Sequence, residues 1–252
     1  MKQFIKTYWK TLVFFAVVGL FGGFFVGLNL MDSYPAEIQQ EILEQGLTVP
    51  ILGVVTAVQS AGYGFLFGAA GIWLGKKIGL WKDERTLEGK PLRWTLWIAL
   101  LGGVGMILPD LLYFGKQVPA IMDSYAVKPT LGYILGMVTY GGVIEEVMLR
   151  LCMMSLIAFL VWKCFRKKYE QPTTWMFVVA NVLSALLFAA GHLPTTAMLF
   201  GLSPIILVRC FLLNGGFGLL FGWLYRKYGL RYAMLAHAGC HIVSKLIWLL
   251  FL

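Results

Sequence analysis

Seven long apolar runs constrain the fold of this 252-residue chain more than any other feature. A membrane-crossing helix needs about 20 mostly apolar residues. The runs that reach or approach this length are 11–30, 50–75, 94–114, 130–162, 174–193, 205–225 and 232–252. Transmembrane strands would instead alternate apolar and polar residues over about ten positions, whereas these runs are continuous. The sequence therefore predicts an all-α, polytopic transmembrane bundle of about seven spanning helices, forming one integral membrane domain over residues 1–252.

The composition excludes the other broad classes of protein. Only 13% of the residues are charged and 59% are hydrophobic, whereas an ordinary soluble domain has about 25% charged residues. This hydrophobicity also excludes a disordered chain, and 4 cysteines in 252 residues are too few for a disulfide scaffold. The run 11–30 is longer than a signal-peptide core and no small-residue cleavage site follows it, so we interpret it as a helix.

The net charge of +9 is explained by membrane topology rather than by a binding partner. With the N-terminus inside, 16 of the 21 Lys and Arg residues fall in four inside segments, and only Lys116 and Lys128 fall outside. The inside segments are 1–10, 76–93, 163–173 and 226–231. Because Lys and Arg mark the cytoplasmic side of membrane proteins, we expect a cytoplasmic N-terminus, a lipid bilayer around the chain and no nucleic-acid partner.

An acidic segment, the spaced glycines and the cysteines are interpreted as surface or packing features. Segment 31–49 is acidic and predicts a short helix at the outer surface. Glycines recur every four residues, a spacing that lets membrane helices approach closely; they are Gly19, Gly23 and Gly27, Gly64 and Gly68, and Gly218 and Gly222. The four cysteines lie in or beside apolar runs and are interpreted as packing residues; they are Cys152, Cys164, Cys210 and Cys240.

Ionisable residues inside the apolar runs are the candidates for function. Each costs about 2.5–3.5 kcal/mol on insertion scales, so a chain retains few of them without a use. They are Asp110, Glu145, Glu146, Arg150, His192, Arg209, His237, His241 and Lys245. Asp110 follows Pro109 and is interpreted mainly as a cap at a helix break. Arg209 and Lys245 are interpreted as paired or snorkelling side chains.

The fourth run contains two adjacent glutamates with different surroundings. Glu146 and Arg150 are four residues apart, share a helix face and can form an ion pair. Glu145 is rotated by about 100° from Glu146, so the same arginine does not neutralise it. A free carboxylate of this kind can take a proton from water. The alternative is that both glutamates serve an interhelical charge network.

All three histidines lie in the fifth and seventh runs. Phe188 precedes His192 by one turn, and His192 by itself would more often form a hydrogen bond between packed helices. His237 and His241 share one helix face. Two imidazoles at this spacing can bind zinc or donate hydrogen bonds to one oxyanion.

Taken together, the motifs of these three runs resemble a known family. Glu145-Glu146-x-x-x-Arg150, Phe188-x-x-x-His192 and His237-x-x-x-His241 occur in this order over residues 130–245. The pattern is similar to the CAAX protease and bacteriocin-processing family, also called Abi, whose members are glutamate-dependent intramembrane proteases. The family includes the type II CAAX prenyl endopeptidases. The first three runs carry no matching motif, so residues 130–245 are the expected catalytic core.

The resemblance implies a role for each motif residue. Glu145, assisted by His192, would activate water for peptide hydrolysis, while His237 and His241 would hold the oxyanion. Glu146 and Arg150 would be the supporting pair, with Phe188 beside His192. The family usually has Asn or Asp where this chain has His241, which strengthens the alternative of a zinc metalloprotease using the same residues. Without that alternative, no cofactor or metal is expected.

The substrate, the setting and the heights of the motifs are less constrained. We expect a membrane-associated peptide or protein substrate and a bacterial plasma membrane. A non-proteolytic bacteriocin-immunity or binding protein, or a small transporter, is the alternative from another class.

Counted from the basic ends of their helices, Glu145 and His192 lie about 27 Å deep but His237 only about 9 Å. Either the fourth and fifth helices project past the membrane on the cytoplasmic side, or some helices are strongly tilted. The run 130–162 is long enough to tilt or to break at Gly141-Gly142.

Overall fold

The computed structural model describes residues 2–83 and 87–252, apart from the side chains of Lys2 and Ser33. Arg85, one of the basic residues of segment 76–93, lies outside the described residues. The helices are α1 (Lys2–Leu28), α2 (Ala36–Glu44), α3 (Val49–Lys77), α4 (Gly89–Gln117), α5 (Pro119–Ala126), α6 (Leu131–Phe165), α7 (Thr174–Gly191), α8 (Leu193–Phe200), α9 (Pro204–Tyr228) and α10 (Leu230–Phe251). No strand occurs in residues 2–83 or 87–252, so the all-α prediction is confirmed.

Seven of these segments are long and apolar enough to cross a membrane, as predicted. They are α1, α3, α4, α6, the combined α7–α8 (Thr174–Phe200), α9 and α10. Each exposes large apolar side chains on its outer face, for example Val17, Val58, Leu101, Leu160, Val178, Leu219 and Leu246. Exposing such an apolar surface to water is unfavourable, whereas contact with lipid tails is not. The chain is an integral membrane protein.

The short acidic helix predicted between the first two spans is present as α2 (Ala36–Glu44), after a single 3₁₀ turn at Met31–Ser33. None of the residues of α2 is buried. This exposure agrees with a helix that lies on the surface of the bundle.

The recurring glycines pack helices against one another, as expected from their spacing. In α1, Gly19 and Gly23 lie against Ser60 of α3, and Gly64 of α3 lies against the carbonyl of Phe15. Any Cβ at these positions would collide with the neighbouring helix. A side chain at Gly218 of α9 would similarly meet Ala185 of α7 at 3.1 Å. Close backbone approach therefore holds α1 to α3 and α9 to α7.

Helix α6 runs unbroken through Gly141 and Gly142, which excludes a break at the glycine pair. Its backbone hydrogen bonds widen to the π pattern over Met137–Glu145 and again over Val147–Met154. With 35 residues the helix is about 52 Å long, well beyond the roughly 30 Å hydrocarbon core. It must therefore tilt in the membrane or project from it. π-helical turns are rare and frequently mark functional sites.

Asp110 joins three helices at the end of the bundle where α4 finishes. It lies inside α4, fully buried, where the backbone has the π pattern. Arg209 of α9 donates to both of its carboxylate oxygens, from Nε and Nη2, at 2.6 Å each. The hydroxyl of Tyr125 in α5 donates a third hydrogen bond at 2.8 Å. The interpretation of Asp110 as a helix-break cap is therefore wrong, whereas the pairing of Arg209 is confirmed.

Lys245 is stabilised by aromatic rings. Its Nζ lies 5.4 Å from the ring centre of Tyr133 and 5.1 Å from that of Trp248. Such cation–π contacts lower the cost of a charge within the bundle.

Candidate active site

A small cavity at the centre of the bundle collects the motif residues of three helices. Its volume is about 50 Å³, and Glu145, Phe188, His192, His237 and His241 all line it. A cavity needs about 10–15 Å³ to hold a water molecule, so this one has room for water beside the carboxylate. We refer to it as the Glu145 cavity.

Glu146 and Arg150 lie behind the cavity and do not line it. Both are buried, and Arg150 Nε lies 3.4 Å from Glu146 Oε2. The guanidinium also lies 4.6 Å from the ring centre of Phe188 and 5.7 Å from that of Phe221. Two aromatic faces and one carboxylate therefore compensate the buried arginine.

His237 connects the buried glutamate to the one in the cavity. Its Nδ1 lies 2.9 Å from Glu146 Oε1, and because a carboxylate oxygen only accepts, Nδ1 carries a hydrogen. Its Nε2 lies 4.0 Å from Glu145 Oε2. Phe221 stacks on the imidazole with ring centres 4.5 Å apart, which fixes the plane of the ring. Glu146 thus orients His237, and Glu145 remains free of a closer cation in the described part of the chain.

His192 ends helix α7 with its ring turned by a local hydrogen bond. Its Nδ1 lies 2.9 Å from the carbonyl oxygen of Phe188. That oxygen can only accept, so Nδ1 carries the hydrogen and Nε2 of the neutral ring carries the lone pair. The ring of Phe188 also contacts His192 edge-on, with centres 4.8 Å apart. The residue is therefore held as a proton acceptor.

His241 lies one turn beyond His237 and stacks on it, with ring centres 4.9 Å apart. Among the described residues, no hydrogen-bond partner reaches its buried Nδ1. Its Nε2 lies 2.7 Å from the point where a Cβ of Gly141 would be. The glycine therefore makes room for this ring and lets α10 approach α6.

Residues without any family motif complete the cavity. Helix α9 contributes Asn214, Phe217 and Phe221, and Met106 of α4 forms another wall. None of them was predicted from the sequence, because only ionisable residues stand out as functional candidates within an apolar run. Asn214 had a detectable signal, since it is a lone carboxamide inside the apolar run 205–225. The phenylalanines and methionine are indistinguishable in sequence from lipid-facing or core residues.

The described side chains do not form a three-ligand metal site. In the described ranges 2–83 and 87–252, no three His, Cys, Asp or Glu side chains are placed to hold one metal ion. His237 uses Nδ1 for Glu146 and His192 uses Nδ1 for a backbone carbonyl, which leaves Nε2 of both rings facing other partners.

Comparison with known proteins assigns the region that builds this cavity. Residues 127–243 match the family described as Type II CAAX prenyl endopeptidase Rce1-like. This region is similar to that protease family. The match covers α6 to α9 and the first two thirds of α10, close to the range 130–245 expected from the motifs, so the predicted resemblance is confirmed. No curated protein and no solved structure matches the chain.

Proposed function

We propose that this chain is an intramembrane endopeptidase that hydrolyses a peptide bond of a membrane-associated peptide or protein. One observation carries the proposal: Glu145, His192, His237 and His241 meet at one water-sized cavity inside the region of the protease family. Peptide hydrolysis needs a base for water and a donor for the oxyanion. The four side chains supply both functions at one place.

Glu145 is the proposed base. Its carboxylate lines the cavity with 20% of the side chain exposed, while Glu146 is sealed behind it. The lone pair on His192 Nε2 accepts a hydrogen from the same water and holds its oxygen for attack on the peptide carbonyl. The proton taken by Glu145 then passes to the leaving amine.

His237 and His241 are the proposed oxyanion donors. Because Nδ1 of His237 donates to Glu146, its Nε2 can donate only when the ring carries both protons. Carboxylate oxygens lie 2.9 Å from its Nδ1 and 4.0 Å from its Nε2. His241 adds one further N–H from the stacked ring. Two donors aimed at one developing charge stabilise the tetrahedral intermediate.

The decisive experiment uses purified protein in liposomes with a quenched fluorogenic peptide that ends in a CAAX sequence, with and without a prenyl group. We expect Glu145→Gln and His192→Ala to lower kcat/KM at least about 100-fold, the usual contribution of general base catalysis. Glu37→Gln on the exposed helix α2 is the matched control and should cleave like the natural chain. Cleavage retained by Glu145→Gln would contradict the proposal.

The same assay addresses two alternatives. Full activity in excess chelator is expected, whereas a loss restored by added zinc would favour a metalloprotease. The non-proteolytic alternative predicts that neither peptide is cleaved and that Glu145→Gln keeps the biological role of the chain.

A further inference from the structure

A second cavity, larger than the first, lies at the end of the bundle where α1 begins. Its volume is about 420 Å³. Three parts of the chain surround it: the first half of α1, the segment 81–83 after α3, and the junction between α9 and α10. It shares no lining residue with the Glu145 cavity. We call it the basic-end cavity.

The lining of the basic-end cavity is amphipathic. Phe14, Phe15, Leu230 and Met234 form an apolar part. The side chain of Phe14 is 55% exposed on the outer face of α1, so this part of the cavity borders the lipid. The polar part includes the hydroxyl groups of Thr7, Thr11 and Tyr228 and the cations of Lys82 and Arg231. One end of a ligand would therefore meet apolar rings and the other end would meet cations.

Asp83, the one acid among the described lining residues, is already engaged. Asp83 accepts hydrogen bonds from Trp81 Nε1 at 2.6 Å and from the hydroxyl of Tyr8 at 3.4 Å. Lys76 donates to that same hydroxyl at 2.6 Å. A lysine outside the lining is thereby linked to Asp83 through Tyr8, and among the described residues Asp83 forms no ion pair with Lys82 or Arg231.

Both of those cations keep donors for a ligand. Within residues 2–83 and 87–252, Arg231 has neither an ion pair nor a side-chain hydrogen bond. Lys82 donates once, to the carbonyl of Lys227 at 2.8 Å, which leaves two of its three N–H donors. Its alkyl chain crosses Gly229, whose φ of +109° favours glycine. Lys82 reaches the cavity from the segment after α3, and Arg231 reaches it from the start of α10.

We propose that the basic-end cavity binds an anionic phospholipid, with the phosphate between Lys82 and Arg231 and an acyl chain along Phe14 and Met234. Guanidinium and ammonium groups are the usual partners of phosphate oxygens. A soluble phosphate would leave the apolar part of the cavity unfilled, and an uncharged lipid would leave the cations unmatched. The lipid would seal the junction between α1 and α10, separately from the proposed catalysis at Glu145.

Native mass spectrometry of the purified full chain in detergent tests the proposal. The probes are dioleoyl phosphatidylglycerol, dioleoyl phosphatidylcholine with the same acyl chains, and glycerol phosphate with none. We expect one phosphatidylglycerol to bind at least ten times more tightly than phosphatidylcholine. A large excess of glycerol phosphate should not displace it, because the soluble headgroup lacks the apolar half of the contact.

The double variant Lys82→Gln, Arg231→Gln should lose at least five-fold in phosphatidylglycerol affinity and bind phosphatidylcholine unchanged. Its matched control is Lys163→Gln, Arg166→Gln, in an exposed basic segment that does not line the cavity. Equal binding of the two lipids, or equal losses in both double variants, would overturn the proposal. Displacement by glycerol phosphate would also overturn it and assign the cavity to soluble phosphates.

Discussion

Arg150 is the largest fully buried side chain of the described residues, and Glu146 is the carboxylate that pairs with it there. Removing the arginine would leave Glu146 charged and facing only His237. Losing one partner of a buried pair costs about 3–5 kcal/mol, whereas replacing both partners can be nearly neutral. The pair therefore allows a test in which two changes are less harmful than one.

We expect Arg150→Met to lower the free energy of unfolding by about 3–5 kcal/mol. The double variant Glu146→Gln, Arg150→Met should recover at least half of that loss because no unpaired charge remains. Thermal unfolding in detergent measures both. Arg166→Met, at an exposed position beyond α6, is the control and should unfold like the natural chain. If the double variant is less stable than the single one, the carboxylate is not the cause.

For individual residues, the sequence predicted the Glu146–Arg150 ion pair but not the aromatic rings that cover the guanidinium. The spacing of Glu146 and Arg150 is local, so one helix is enough to infer it. The rings of Phe188 and Phe221 that cover the guanidinium come from α7 and α9. The contribution of α9 depends on how helices pack, and no spacing within one run records that.

At the scale of the helices, α6 and α10 are in close contact at the pair Gly141-Gly142. A Cβ on Gly142 would lie 2.6 Å from Cβ and 2.8 Å from Cα of Ala238. The obstacle is largely backbone, so the two helices would have to separate. His237 and His241 lie on α10 on either side of this contact. Separation would therefore move both imidazoles away from Glu145.

Gly142→Ala should lower both the melting temperature and kcat/KM, the latter at least ten-fold, because the proposed donors no longer face the base. Gly62→Ala is the matched control, since nothing lies within 4 Å of a Cβ there. An alanine in an open helical position stabilises by about 1 kcal/mol relative to glycine, so the control should melt no lower than the natural chain. An active, stable Gly142→Ala protein would contradict the close contact.

The junction of α4, α5 and α9 gives a prediction on pH. Burial raises the pKa of the Tyr125 hydroxyl above its ordinary 10.0, and the nearby Asp110 carboxylate raises it further. Above about pH 10 the unfolded chain loses this proton while the folded chain keeps it. Stability is therefore present below pH 10 and is lost as the pH rises through the raised pKa.

Melting curves between pH 8 and pH 11, the range about the ordinary tyrosine pKa of roughly 10, measure this loss. The natural chain should lose more stability over the range than Tyr125→Phe, which has no proton to release. Tyr113→Phe, with a side chain 55% exposed, should follow the natural chain. Parallel curves for the natural chain and Tyr125→Phe would show that Tyr125 is not the titrating group.

The elements that could be predicted from the sequence are those that lie in lipid. Long apolar runs must become helices in lipid, because every backbone group needs an internal partner; all seven spans were therefore predictable. The π-type turns of α6 and the ion pair of Asp110 were not. The ion pair depends on a contact between α4 and α9, and Pro109 before Asp110 suggested a break that α4 does not make.

For the whole molecule, the size of the Glu145 cavity limits how a substrate can reach it. About 50 Å³ holds water, whereas pockets for small ligands have roughly 300–1,000 Å³. A peptide segment therefore requires helices to move apart. The walls formed by Met106 of α4 and Phe217 of α9 carry no charge or ion pair that would resist such a movement.

The orientation of the bundle can be tested with the native thiols. Seven spans place the two termini on opposite sides, and the basic segments predict that the N-terminus is cytoplasmic. Cys164 is exposed at the end of α6 next to Lys163, while Cys152, Cys210 and Cys240 are buried. A membrane-impermeant maleimide should therefore label the natural chain in inside-out vesicles and leave it unlabelled in right-side-out vesicles.

In a Cys164→Ser background, Asp32→Cys before α2 should show the reverse pattern. If Cys164 is labelled only from outside, the orientation is inverted, and the basic-end cavity then faces the opposite leaflet.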